Sequence, residues 1–202
     1  MIIAIEGMDC SGKTTQAELL KEYLKTQCKD SNVETFHFPN KDSAIGKEIY
    51  NYLEGKVEYS KEVVELLHTA DKMNKQWDFY KFKNNYTNHI ILDRYKLSQY
   101  AYAMASEMDI NLVDNLIKQM IEPDIRIFLS MHPKEAIKRK KTYDKYESDI
   151  KFLDKVYGWY LVSCDIFDYK IIDARKPIEE VHEMICDVVK EEGGGLVDVR
   201  SI

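Results

Sequence analysis

The feature that most constrains this chain is the stretch MIIAIEGMDCSGKTT at residues 1–15. Gly7, Gly12, Lys13 and Thr14 complete the pattern G-x-x-x-x-G-K-[ST], directly after an apolar run and directly before a helical pattern, which is the context of a phosphate-binding loop. Glycine at both ends lets the backbone curl so that successive N–H groups face phosphate oxygens, and the helix that follows adds the positive end of its dipole. Met8, Asp9, Cys10, Ser11 and Thr15 would complete that cradle. Lys13 would reach the β- and γ-phosphates of a nucleotide, and the Thr14 hydroxyl would ligate Mg2+. The motif leaves open which acceptor takes the phosphoryl group.

The rest of the pattern agrees with a strand that delivers a loop to a helix. Ile2 to Ile5 is an unbroken apolar run of the kind buried on both faces of a parallel sheet. Ala17, Leu20, Leu24 and Cys28 then recur at helical spacing. Val33 to Phe38 reads as a second strand that stops at Pro39, and Ala44 to Leu53 as a helix. Ser60 caps a longer helix expected to run to about Phe82, with Val63, Val64, Leu66, Leu67, Ala70 and Met73 facing inward. Ile90 to Leu92, Ile125 to Leu129 and Tyr169 to Ile172 read as three more strands. Helical stretches fill the intervals: Tyr100 to Met108, Leu112 to Ile121, one opened by Pro133, Ile150 to Phe167, and one opened by Pro177. The alternation predicts an α/β three-layer sandwich, a five-stranded parallel sheet flanked by helices. A single domain is expected over residues 1–192, with a lid at about 138–149 and a short polar tail at 193–202.

A net charge of −6 over 202 residues argues against a protein that coats nucleic acid or an anionic membrane. Cys10, Cys28, Cys164 and Cys186 are far apart and lack metal-ligand spacing, so they read as reduced thiols in a cytoplasmic or similarly reducing compartment. The opening apolar run is too short for a signal peptide or a membrane span. Polar residues at a strand's carboxyl end are where open parallel sheets carry their chemistry, and Asp93-Arg94 follows Ile90 to Leu92 directly. Beside a phosphate loop, such an Asp can support magnesium and the Arg can clamp a second phosphate, the plainer alternative being a structural ion pair. Asp9 is either a turn former or a carboxylate that accepts a hydrogen bond from a sugar hydroxyl of the acceptor.

Six separated motifs resemble those of the thymidylate kinases, in the same order: IEGMDCSGKTTQ, HFPNKDSAIGKEI, LDRYKLSQYAY, EPDIRIFL, DKYES and IIDARKPIEEVH. The resemblance covers nearly the whole chain and is closest to the eukaryotic and viral branch. It implies a P-loop kinase fold and transfer of the γ-phosphate of ATP to dTMP with Mg2+, in a homodimer. It implies that Asp9 meets the 3′-hydroxyl of the acceptor, that Asp93 supports magnesium or positions phosphate, and that Arg94 binds the acceptor phosphate. Phe38 would line the base pocket, Ser98 would bond near the thymine edge, and Tyr102 would crowd the 2′ position. Tyr146 would contact nucleotide from the lid, and Ala174 and Arg175 would meet ATP near its adenine.

Three departures from the family pattern carry chemistry of their own. Lys41 stands where an Arg usually grips the acceptor phosphate, keeping charge and losing the bidentate fork. His68 and Lys72 stand where a Phe stacks on thymine and an Arg reads it; their i, i+4 spacing keeps them on one helix face. Cys10 stands where some members carry a catalytic Arg. Charge on the transferred group must then be met from the basic run Lys138, Arg139, Lys140 and Lys141, with Arg139 the choice and Lys138 the one-residue alternative. His68 and Lys72 also leave room for another pyrimidine deoxynucleotide as acceptor. From a different class, the rival is a nucleotide-binding module without catalysis.

Overall fold

The computed structural model describes residues 1–27, 31–83, 88–139 and 149–193. In chain order the elements are β1 (Ile2–Gly7), α1 (Lys13–Gln27), β2 (Val33–His37), α2 (Ala44–Leu53), α3 (Lys61–Met73), α4 (Gln76–Lys83), β3 (His89–Asp93), α5 (Lys96–Ala105) and α6 (Ile110–Ile117). They continue with β4 (Ile125–Ser130), α7 (Pro133–Ala136) and its 3-10 extension Ile137–Arg139, α8 (Ile150–Phe167), β5 (Lys170–Asp173) and α9 (Ile178–Glu192).

The five strands are all parallel, in the order β2-β3-β1-β4-β5. Alternate residues of β1 feed the two faces. Ile3 and Ile5 pack with Leu20 and Leu24 of α1 and Ile185 and Val189 of α9. On the opposite face Ile2 and Ala4 join Phe79 and Tyr95, and Phe128 of β4 joins Leu97, Val156 and Tyr160. The result is the three-layer sandwich expected from the alternation. Truncating a fully buried member such as Leu20 to Ala would cost about 2–5 kcal/mol. The chain leaves β1 toward β2 on one side and leaves β3 toward β4 on the other, so the strand order reverses between β1 and β3. Open parallel sheets bind ligands at such a reversal, beyond the strands' carboxyl ends. Register aligns those ends, since Asp93 pairs with both Ile5 and His37.

Two local expectations are corrected. The helix expected from Ser60 to Phe82 is broken at Asn74: the Gln76 side chain turns back to donate to Lys72 O (3.0 Å) and accepts from Ile121 N (2.7 Å), tying the break to the chain before β4. The inward face of α3 is also its polar one. Glu65, Thr69, Asp71 and Lys72 are buried, whereas Val63, Leu66 and Met73 are exposed, because α3 packs against α2 and α5 around a cavity lined by both polar and apolar side chains. Elsewhere α2 and α8 fall on their expected bounds, and Pro133 starts α7 at its first position. The tail beyond Gly193, Lys140, Lys141, Tyr146 and most of the expected lid lie outside the described residues, as does Cys28.

Candidate active site

The phosphate loop joins β1 to α1 through backbone that a side chain would block. At Gly7, φ is +154°, and a Cβ would lie 2.6 Å from Ser11 Oγ and 2.8 Å from Leu129 O. Gly12 sits at +91° and Cys10 at +61°, so the loop curls as a phosphate cradle requires. Lys13 is buried and donates from Nζ to Met8 O at 2.6 Å, across its own loop. Burial brings its pKa down to about 8, with Arg94 acting in the same direction, so an arriving phosphate would raise it again and replace the bond to Met8 O. Thr15 is exposed at the third position of α1 and Met8 is buried beneath the loop. Gln16 donates to Ile178 O (2.9 Å), which brings the segment carrying Ala174 and Arg175 against the start of α1. Ala174 is buried, and the Arg175 guanidinium is bidentate on Asp173. Arg139 Nη1 reaches Cys10 O at 3.4 Å, so the chosen basic residue extends over the loop position that lacks an Arg.

Asp93, at the end of β3, faces the loop. Its Oδ2 accepts from Thr14 Oγ1 (2.6 Å) and from His37 Nδ1–H (2.9 Å), while Oδ1 is buried with no partner among the described residues. Burial pushes its pKa up, but the His37 hydrogen bond and the Lys13 charge outweigh it and hold the carboxyl below its ordinary value. Among the described residues no three His, Cys, Asp or Glu side chains form a metal cage. A magnesium ion that shares its shell with phosphates and water needs only one or two protein donors. The orphaned Asp93 Oδ1 beside the Thr14 hydroxyl fits that requirement.

Arg94 follows with φ at +65°, and its guanidinium bridges the loop to the neighbouring cavity. Nη2 pairs with Asp9 Oδ1 at 2.6 Å, and Nη1 donates to Gly7 O at 3.2 Å and to Ser98 Oγ at 3.4 Å. The segment is held by a residue that sequence reasoning missed. Glu6 is fully buried on β1, and its carboxylate accepts from the backbone N–H of Tyr95 (2.8 Å), Leu97 (3.0 Å) and Ser98 (3.2 Å), and from the Ser98 hydroxyl. It caps α5 from another strand, so the helix starts at Lys96, ahead of the expected Tyr100. A charged residue closing a buried apolar strand was the available signal.

Beyond Arg94 a cavity of about 350 Å3 opens between α3 and α5. Asp9, Phe38, Lys41, His68, Lys72, Ser98 and Tyr102 all line it, so one wall brings together the described residues expected to bind the acceptor. Phe38 is buried, with Lys72 Nζ 5.6 Å from its ring centre, and Lys41 Nζ stands 5.1 Å from the Tyr50 ring centre. Lys72 is 3% exposed, and burial brings its pKa down to about 8. His68 is driven further, to about 3, by burial and by the charges of Lys72 and Arg94, so its imidazole is neutral at physiological pH. Ser98 accepts from Tyr160 OH (2.8 Å), its own proton given to Glu6. Glu65 and Gln99 also line the cavity and were not foreseen. The spacing of Glu65, His68 and Lys72 along one helix face could have found the first.

Comparison with known proteins follows the same lines. The family model described as thymidylate kinase matches residues 5–185. A thymidylate kinase of Schizosaccharomyces pombe is 32% identical over 193 residues, covering 93% of this chain and 90% of its own length. One of Plasmodium falciparum is 34% identical over 196 residues, covering 94% and 88%. Among solved structures, a thymidylate kinase from Candida albicans matches with a TM-score of 0.80 at 27% identity, over 95% of this chain and 92% of that one.

Proposed function

This chain belongs to the thymidylate kinase family, and on that premise we propose that it transfers the γ-phosphate of ATP to the phosphate of dTMP, giving ADP and dTDP. The observation that carries the reading is the Arg94 guanidinium, in contact with Gly7 O of the donor loop and with Asp9 on the rim of the acceptor cavity. A cation there can hold an acceptor phosphate within reach of a donor phosphate on the loop, and phosphoryl transfer depends on such positioning and on electrostatics.

The roles follow from the groups' chemistry. Lys13 exchanges Met8 O for the β- and γ-phosphate oxygens. Thr14 and Asp93 Oδ1 would hold Mg2+, which when bound neutralises charge on those phosphates. Arg94 and Lys41 anchor the acceptor phosphate, Asp9 accepts from the 3′-hydroxyl once Arg94 turns to phosphate, and Tyr102 crowds the 2′ position. Arg139 supplies positive charge over the loop at Cys10, and Ala174 and Arg175 flank the adenine side. Phe38, His68 and Lys72 surround the base, and Ser98 supports that wall through Glu6. Residues 1–192 act as one kinase domain with its lid at about 138–149.

The exposed apolar residues Val63, Leu66, Ala70 and Met73 of α3, with Trp77 and Tyr80 of α4, support a homodimer in which a second copy covers them. Trp77, 68% exposed, would be its anchor. Cys10, Cys164 and Cys186 are outside any disulfide, which fits a cytoplasmic setting, and no described helix is long and apolar enough to cross a membrane. The test is ADP release with ATP, Mg2+ and a panel of nucleoside monophosphates. dTMP is expected to give the highest kcat/KM; preference for another pyrimidine deoxynucleotide reassigns the acceptor, and nucleotide binding without acceptor-stimulated turnover overturns the kinase reading.

A further inference from the structure

One side chain in the acceptor cavity is held in a single orientation by its neighbours. Gln99 of α5 lines the cavity and is 5% exposed. Its amide nitrogen donates to Glu65 Oε1 (2.5 Å) and to Thr69 Oγ1 (2.8 Å), both on α3. Its carbonyl oxygen is buried and has no partner among the described residues. An amide can turn over and exchange its donor and acceptor ends, but two separate facts forbid it here. Burial raises the pKa of Glu65, but the Gln99 hydrogen bond and the Lys72 charge oppose that rise; as a carboxylate it only accepts, so it requires the N–H end. The Thr69 hydroxyl has one proton, and that proton goes to the Glu65 backbone oxygen at 2.9 Å, so toward Gln99 it too can only accept. Turning the amide would replace two hydrogen bonds by two oxygen–oxygen contacts.

The consequence is a wall of fixed polarity. The Gln99 carbonyl is an acceptor in want of a donor, and an unsatisfied buried acceptor beside a cavity calls for an N–H from the ligand. Lys72 lines the same cavity, its ammonium spending one donor on His68 O at 3.3 Å. A base edge that meets this pair must bring one N–H and one carbonyl oxygen. Thymine and uracil do so with N3–H and O4. Cytosine brings a bare N3 lone pair to the Gln99 oxygen and an amino group to the Lys72 ammonium, wrong on both counts.

We infer that Glu65 and Thr69 are positioning residues that lock the Gln99 amide, so that Gln99 and Lys72 together select an imide base edge and reject cytosine. The inference rests on the kinase reading above and names how its base is chosen. Sites built to hydrogen-bond one pattern reject the mismatched analogue strongly, because buried groups are left unpaired.

The experiment is steady-state kcat/KM with ATP against dTMP, dUMP and dCMP. The wild-type protein is expected to favour dTMP and dUMP over dCMP by about 10³-fold or more. Glu65→Gln combined with Thr69→Val keeps the shape and frees the amide to turn, and is expected to shrink the dTMP-to-dCMP ratio by about tenfold or more. The same pair of changes made on Gln99→Leu is expected to leave the ratio where Gln99→Leu alone sets it, since the lock then has nothing to hold. A structural role for Glu65 and Thr69 would instead lower both substrates alike, with or without Gln99. Equal use of dCMP by the wild-type protein, a ratio unmoved by unlocking, or an unlocking effect that persists without Gln99 each overturns the inference and leaves the kinase reading standing. Absence of turnover with every monophosphate overturns the kinase reading and the inference with it.

Discussion

The phosphate loop takes its functional groups from residues 7–15, whereas the acceptor cavity takes its wall from that loop, the end of β2, α3 and α5, so that Asp9 and Arg94, 85 positions apart, meet in one ion pair. The loop works largely through backbone shape, set by Gly7, Cys10 and Gly12. The cavity works through side chains whose states are set by one another: neutral His68, a Lys72 whose pKa burial has lowered to about 8, and a Gln99 that cannot turn. A site of the first kind is written into a short sequence motif. A site of the second kind exists only after packing.

Changes on the donor side are the largest way to probe that contrast. Lys13→Ala is expected to lower kcat by about 10³-fold or more with the helical circular dichroism unchanged, because a phosphate charge is lost while the loop's glycines still fold it. Arg139→Ala is expected to lower kcat by about 10²-fold, with Lys138→Ala within a few-fold of wild type; stopped single-turnover measurements would reverse the assignment if Lys138 proved the costlier loss.

Glu6→Gln acts between the two regions. The carboxylate meets three backbone donors and a hydroxyl, and an amide can accept at only one end. Loss of about 1–3 kcal/mol of stability in urea is expected, together with about a tenfold rise in the dTMP KM as Arg94 loses its support. A fall in stability with an unchanged KM would confine Glu6 to a structural role.

The smallest effects are those of pH, and they fall on the acceptor side alone. With ATP saturating, bound phosphates keep Lys13 charged, so Lys72 governs the alkaline limb. Its ammonium is present below pH 8 and lost above, and kcat/KM for dTMP is expected to fall above pH 8, with the limb moved upward in Lys72→Arg. The sign for stability is opposite: between pH 8 and the free lysine value of 10.5 the unfolded chain holds a proton that the folded one has released, so this group's penalty on folding fades as pH rises. His68, with its pKa near 3, is expected to leave no inflection between pH 5 and 7.

How much could be read before the structure follows the same division. The strand order's raw material, the loop and the strand-end pair Asp93-Arg94 were legible because periodicity and local spacing encode them. The polar face of α3 was misread, since apolar spacing at Val63, Leu66 and Met73 marks an apolar face without saying whether the core or another surface covers it. Glu6 and Gln99 were passed over because a cap supplied from another strand, or an amide fixed by another helix, has no signature in its own neighbourhood.

The division between a locally built donor loop and an acceptor cavity assembled by packing is tested most directly by both Michaelis constants in Lys72→Ala. The KM for dTMP is expected to rise about 10–100-fold, the loss of a charged hydrogen bond, while the KM for ATP stays within about twofold, since the phosphate loop is left whole. A rise in the ATP constant as large as that for dTMP would contradict the account.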